Sequence, residues 1–175
     1  DIRFAYRQSP VTGGGYSHYY WGIDDITIEA NPVANDLELV QLTNGDVYFL
    51  FEYRVTPMDQ AIPAADGGLL AGVLFRNEGF ADQENCVVTV DVLDNSGTVL
   101  SSTSTDPFTA PSFANNDNCP ANPQDTLYIA TGWEPESAGQ YLLRATMASD
   151  SVADAGVLEM DIEYTDCEFG HDNPG

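Results

Sequence analysis

The stretch "YYWGIDDITIEANP", residues 19–32, carries the plainest chemical potential in the chain, because Asp24 and Asp25 stand side by side in a strand-like run. A strand alternates its faces, so one of the two carboxylates points the same way as its apolar neighbours. A carboxylate so placed recruits a cation, gathers backbone donors or takes up a proton. Calcium binds about six to eight oxygens from Asp, Asn and backbone carbonyls. Asp24 and Asp25 are therefore candidate ligands of a structural calcium, and alternation means that only one of them need bind it. The alternative is a hydrogen-bonded carboxylate at a sheet edge with no metal. The loop "NNDNCPANPQD", with Asn115, Asn116, Asp117 and Asp125, offers a weaker oxygen cluster that reads more simply as a solvated turn.

Just upstream, Tyr16, Tyr19, Tyr20 and Trp21 form an aromatic group. Such a group could stack on the sugar rings of a polysaccharide. It could equally pack a core, or face strands supplied by another domain or chain. Histidine is confined to His18 and His171, and Cys167 with His171 makes a lone C-x3-H. No HExxH, G-x-S-x-G, P-loop or zinc-spaced Cys/His cluster occurs. With 28 acids, close carboxylate pairs arise by chance, and nothing singles one out for acid–base hydrolysis. The expectation is a protein that is not an enzyme.

The charge balance narrows the partners. Five Arg and no Lys face 28 Asp and Glu, for a formal charge of −23. A basic footprint for nucleic acid is missing, and anionic lipid would repel the chain. The acids are spread along the sequence, as in a solvated surface suited to salty water. No apolar run approaches the length of a membrane helix. The opening "DIRFAYRQ" is already in strand pattern without Met, and reads as a cut into a longer protein.

The elements that must position these residues are strands almost throughout. Alternating or apolar runs occur at 2–7, 19–28, 37–42, 47–55, 69–77, 86–94, 98–104, 126–132, 140–149 and 157–165. Asn44-Gly45 predicts a tight hairpin joining 37–42 to 47–55, and "NSG" predicts a second after Asp94. No window keeps a helical period. Short strands with regular turn signals predict an all-β fold, an antiparallel Ig-like β-sandwich. "ESAGQYLL" places Tyr141 where the tyrosine corner of such sandwiches lies, while Leu143 stands where an antibody domain has its second Cys. "NPVAN" (31–35) punctuates the chain as a domain boundary.

Topology also suggests a use for the cysteines. In an Ig-like sandwich the third strand starts at the same end as the fifth. Cys86 opens the third run and Cys119 precedes the fifth, so a Cys86–Cys119 disulfide is expected, contributing about 3–4 kcal/mol in an oxidising setting. Cys167 falls at the opposite end, unpaired or bonded to a neighbour. Three reduced cysteines are the alternative.

Asn77-Glu78-Gly79, the run Val87–Leu93, the hairpin Asp94-Asn95-Ser96-Gly97 and the later "GQYLLRATMASDSVADAG" resemble the bacterial adhesion-related Ig-like family CARDB. The resemblance covers roughly 36–166 and implies architecture rather than a ligand. The opening, with "YYWGIDDITIEA", is similar to the last strands of jelly-roll modules of the MAM and carbohydrate-binding kind. In several of those an acid of the final strand ligates structural calcium, which implies that role for Asp24 or Asp25. The division that follows is 1–32, closing strands of a jelly-roll-like domain; 33–168, an Ig-like sandwich; and 169–175, a tail. The functional expectation is a non-catalytic structural or adhesion module at the surface of a bacterium, serving as a fibre or stalk unit among neighbouring domains or subunits. The alternatives are a carbohydrate-binding accessory module and a non-catalytic appendage of a secreted hydrolase.

Overall fold

Inward-facing residues recur at every second position along the strands, and that alternation stacks two sheets on one core. The computed structural model describes residues 33–45, 54–112 and 124–166, with backbone alone at Gln124 and Asp125. The strands are β1 (Leu37–Asn44), β2 (Val55–Pro57), β3 (Leu70–Asn77), β4 (Gln83–Asp94), β5 (Val99–Ser104), β6 (Phe108–Ala110), β7 (Gln124–Ala130), β8 (Gly139–Ala148) and β9 (Val157–Thr165). Two single 3-10 turns, Met58–Gln60 and Ala64–Asp66, are the helical elements among the described residues.

One sheet has the order β1-β3-β7, and the other β2-β9-β8-β4-β5 with β6 also on β4. All pairings are antiparallel except that of β2 with β9. This is an Ig-like β-sandwich, in which β1 lies on one sheet and the short β2 lies on the other. From β3 the core receives Ala71, Val73 and Phe75, and from β4 Cys86, Val88, Val90 and Val92. Leu143, Ala145 and Met147 of β8 meet Met160, Ile162 and Tyr164 of β9, all buried.

The run expected to pair back on β1, 47–55, lies outside the described residues as far as residue 53, and Val55–Pro57, at and beyond its end, lies parallel to β9. Gly45 does adopt a positive φ of 94°, yet its N–H donates to Leu70 O at 2.8 Å and so tightens the β1–β3 pair. The second hairpin forms as its residues suggest. Asp94 Oδ1 accepts from Ser96 N at 2.8 Å, from Ser96 Oγ at 2.6 Å and from Thr98 N at 2.9 Å, while Gly97 takes φ 82°. These donors, the Ser96 hydroxyl foremost, hold the Asp94 carboxyl below the usual range.

Register sorts the loops to two ends. Leu37 pairs Asn77, so β1 starts where β3 finishes, beside the start of β4, which pairs Ala110 of β6. β9 finishes at Thr165 beside Pro57 and the start of β8. The polypeptide therefore comes in at one end, near Val33, and leaves at the other, near Asp166. A strand of nine residues such as β9 separates them by about 30 Å.

Candidate functional site

Asp24 and Asp25, Tyr16, Tyr19, Tyr20 and Trp21 lie outside the described residues, as do Asn115, Asn116, Asp117, Cys119 and Cys167. Cys86 is described, and it is a free, fully buried thiol. The partner expected for it, Cys119, lies outside the described residues. The side chain faces the inter-sheet core, with Sγ donating to Gln83 O at 3.3 Å, and burial pushes the thiol pKa up. Among the described residues no three His, Cys, Asp or Glu side chains gather to hold a metal.

What the fold does bring together at the N-terminal end is a buried polar cluster. Asn77 is 1% exposed. Its Nδ2 donates to Ala81 O and to Ala110 O, both at 3.0 Å, and its Oδ1 accepts from Gly79 N at 3.1 Å. Gln83, fully buried, donates from Nε2 to Asn35 Oδ1 at 2.9 Å and to Ala81 O at 3.1 Å. Its Oε1 accepts from Ser149 Oγ at 3.0 Å, and that hydroxyl accepts from Val152 N at 3.0 Å. Gly79 completes the arrangement, because a Cβ there would stand 2.4 Å from Ala34 O. The amides thus fasten the incoming segment, β6 and the β8–β9 loop to the ends of β3 and β4. Asn77 stood out in the sequence as part of Asn77-Glu78-Gly79. Gln83 did not, since nothing distinguishes it there from any solvated Gln.

The C-terminal end is aromatic. Tyr141 donates its hydroxyl to Ser137 O at 2.8 Å, four residues back, as a tyrosine corner does. Its ring packs edge-on to Trp133 at 4.8 Å and to Tyr164 at 6.2 Å, and Trp133 and Tyr164 are 5.9 Å apart. Gly68 allows this packing, since a Cβ there would meet Trp133 O at 2.4 Å. Burial first, and the neighbouring Tyr141 second, push the Tyr164 phenol up to about 12.

The outer faces are acidic with single cations inset. Arg144 Nε donates to Glu159 Oε1 at 2.7 Å, and on its other side Arg144 stands opposite Asp91 of β4 in the strand register. Arg76 bonds Glu38 across the β1–β3 pair and meets Glu78 at 3.0 Å. An open recess of about 460 Å³ lies over the C-terminal end of the larger sheet, where Arg54, Asp94, Gln140, Asp161 and Glu163 line it.

Two expectations follow. Asn77→Ala leaves buried partners such as Ala110 O unpaired and should cost roughly 2–4 kcal/mol in urea denaturation; an effect below about 0.5 kcal/mol would show the amide to be dispensable. Tyr164 has a folded pKa above its unfolded value of 10, so its contribution is complete below pH 10 and disappears as pH rises through 12. Stability should fall by about 3 kcal/mol across that window, and Tyr164→Phe should flatten that part of the pH profile.

No family model matches the sequence, and no curated protein does. Among solved structures, the chain is similar to the CARDB domain of a Pyrococcus furiosus protein in complex with di-metal ions, with a TM-score of 0.44 and 15% identity over 74% of this chain and 93% of that one. A solution structure of the same domain gives 0.44 and 16% identity over 77% and 98%. The alkylpurine DNA glycosylase AlkC of Pseudomonas fluorescens, bound to DNA with an abasic site analogue, gives 0.38 and 11% identity over 74% of this chain and 30% of that one.

Proposed function

We propose that the chain is a non-catalytic spacer or assembly module of a larger extracellular or cell-surface bacterial protein, built on a CARDB-like sandwich. The observation that supports this reading is that β1 begins at one end of the sandwich, at Leu37, and β9 finishes at the other, at Thr165. A module joined in that way transmits tension along its strands. β2 and β9 are parallel, so a pull along the axis shears their ladder bonds together instead of unzipping them one at a time. Glu163 N donates to Arg54 O beside that pair and extends it. The polar cluster at one end and the tyrosine corner at the other keep the loops from peeling away first.

In this reading a structural calcium at Asp24 or Asp25 stiffens the approach to the sandwich. Chelation should then lower the melting temperature of the wild-type chain. Of Asp24→Ala and Asp25→Ala, one should lose that calcium response and the other keep it. A melting curve indifferent to calcium in the wild type would remove the metal from the proposal.

Mechanical resistance tests the spacer role directly. Pulling the full chain from attachment points near Val33 and Asp166 should give one cooperative rupture of the sandwich, a quantity governed by the unfolding rate. Gradual extension without a force peak would contradict the role.

A further inference from the structure

Sheet edges invite pairing with other strands, and folded proteins blunt them with charge, proline, bulges or brevity. Among the described residues, the outer strands β1, β2 and β7 carry such devices. β1 has a register shift between Leu39 and Gln41, carries Glu38, and gives Leu39 N to Ala155 O at 3.1 Å. β2 is three residues long and ends in Pro57. β7 carries Asp125. β5 differs. It too has a bulge, at Leu100, but beyond it Ser101–Ser104 pair regularly with β4 and carry neither charge nor proline.

The direction of the free backbone groups on β5 follows from two hydrogen bonds. Thr105 N donates to Val88 O, and Asp94 N donates to Thr98 O, both at 3.0 Å. Alternation of bonded and non-bonded pairs then turns Thr103 and Ser101 toward β4, and turns the N–H and C=O of Ser102 and Ser104 outward. Ser102 and Ser104 are exposed, and β5 ends its sheet among the described residues. The strand is also held from behind, since Ser101 Oγ and Thr103 Oγ1 donate to Thr131 O at 3.1 and 3.0 Å.

Charge indicates the occupant. The chain carries −23 overall, yet no charged residue occurs between Asp94 and Asp106. A basic partner would be drawn to the acidic faces, and a neutral seam offers it nothing. The partner for which an uncharged seam matters is one that is as acidic as this chain. We propose that β5 is a self-association edge at which two copies join antiparallel, continuing the larger sheet across a two-fold axis. With Ser102 opposite Ser104 of the second copy, the axis runs through Thr103. Asp106 then falls opposite Leu100, so no carboxylate of the strand or its flanks faces another. The seam is short, and the dimer is correspondingly weak and concentration-dependent.

This inference names the assembly contact of the module and rests on the assembly reading above. Sedimentation velocity of the full chain at rising concentration tests it, at about 0.05 and about 1 M NaCl. The expected result is a reversible dimer that tightens by about tenfold or more at the higher salt, because screening relieves repulsion between the acidic bodies. Ser102→Pro removes only an outward N–H, and Ser102→Asp puts charge in the seam. Each should weaken the dimer by about tenfold or more while circular dichroism and melting stay as in the wild type. If Ser102→Pro does not fold, Ser104→Asp applies the same test. A wild type that stays monomeric throughout, or a Ser102→Asp that dimerises like it, overturns the proposal. A monomer that still resists force sinks the seam alone, whereas a dimer that extends without a peak sinks the spacer role alone.

Discussion

Burying a carboxamide is favourable only when each of its donors and acceptors finds a partner, and this sandwich does so twice within a few residues. Asn77 and Gln83 share Ala81 O and reach out to Gly79, Asn35, Ala110 and Ser149. None of those groups belongs to a long strand interior. They are the incoming segment, the β3–β4 loop, the short β6 and the turn after β8, which apolar packing alone would leave to water. The amides therefore set where the chain comes in and, through it, where β1 lies on β3. Gly79 lets the incoming segment approach closely enough for that geometry.

The far end is fastened by different physics. Trp133, Tyr141 and Tyr164 fill the space with edge-on rings, and Tyr141 adds one hydrogen bond to Ser137. Between the two ends lies a core rich in Val, Leu, Ala and Met, drawn from strands of both sheets. An element anchored at both ends along its long axis suits a chain that continues in both directions. The acidic exterior sets a complementary limit, because copies of such a body repel wherever carboxylates face one another. An uncharged β5 is the exception to that limit.

Much of this architecture was legible in the residues. β9 matches its run, 157–165, from end to end, and β3, β4 and β8 lie within a few residues of their runs, because inward Val, Leu and Ala recur at the strand period. The Asp94–Gly97 turn was legible because its chemistry is local, an Asp accepting from the next residues and a Gly at positive φ. β2 was not legible as a strand of its own, because its place beside β9 is set by residues more than a hundred positions away. β6 escaped notice because three residues, Phe108–Ala110, give no period. Gln83 escaped because its burial is decided by residues as distant as Asn35 and Ser149.

The account makes the Asn77 and Gln83 amides the fastening of the N-terminal end, and native-state hydrogen exchange with Asn77→Ala tests that most directly. The amides of β1, of β6 and of Gly79 and Ala81 should lose protection through a local opening, while those of β4, β8 and β9 keep the protection set by global unfolding. Uniform loss of protection across both sheets, or none at the N-terminal end, would contradict it.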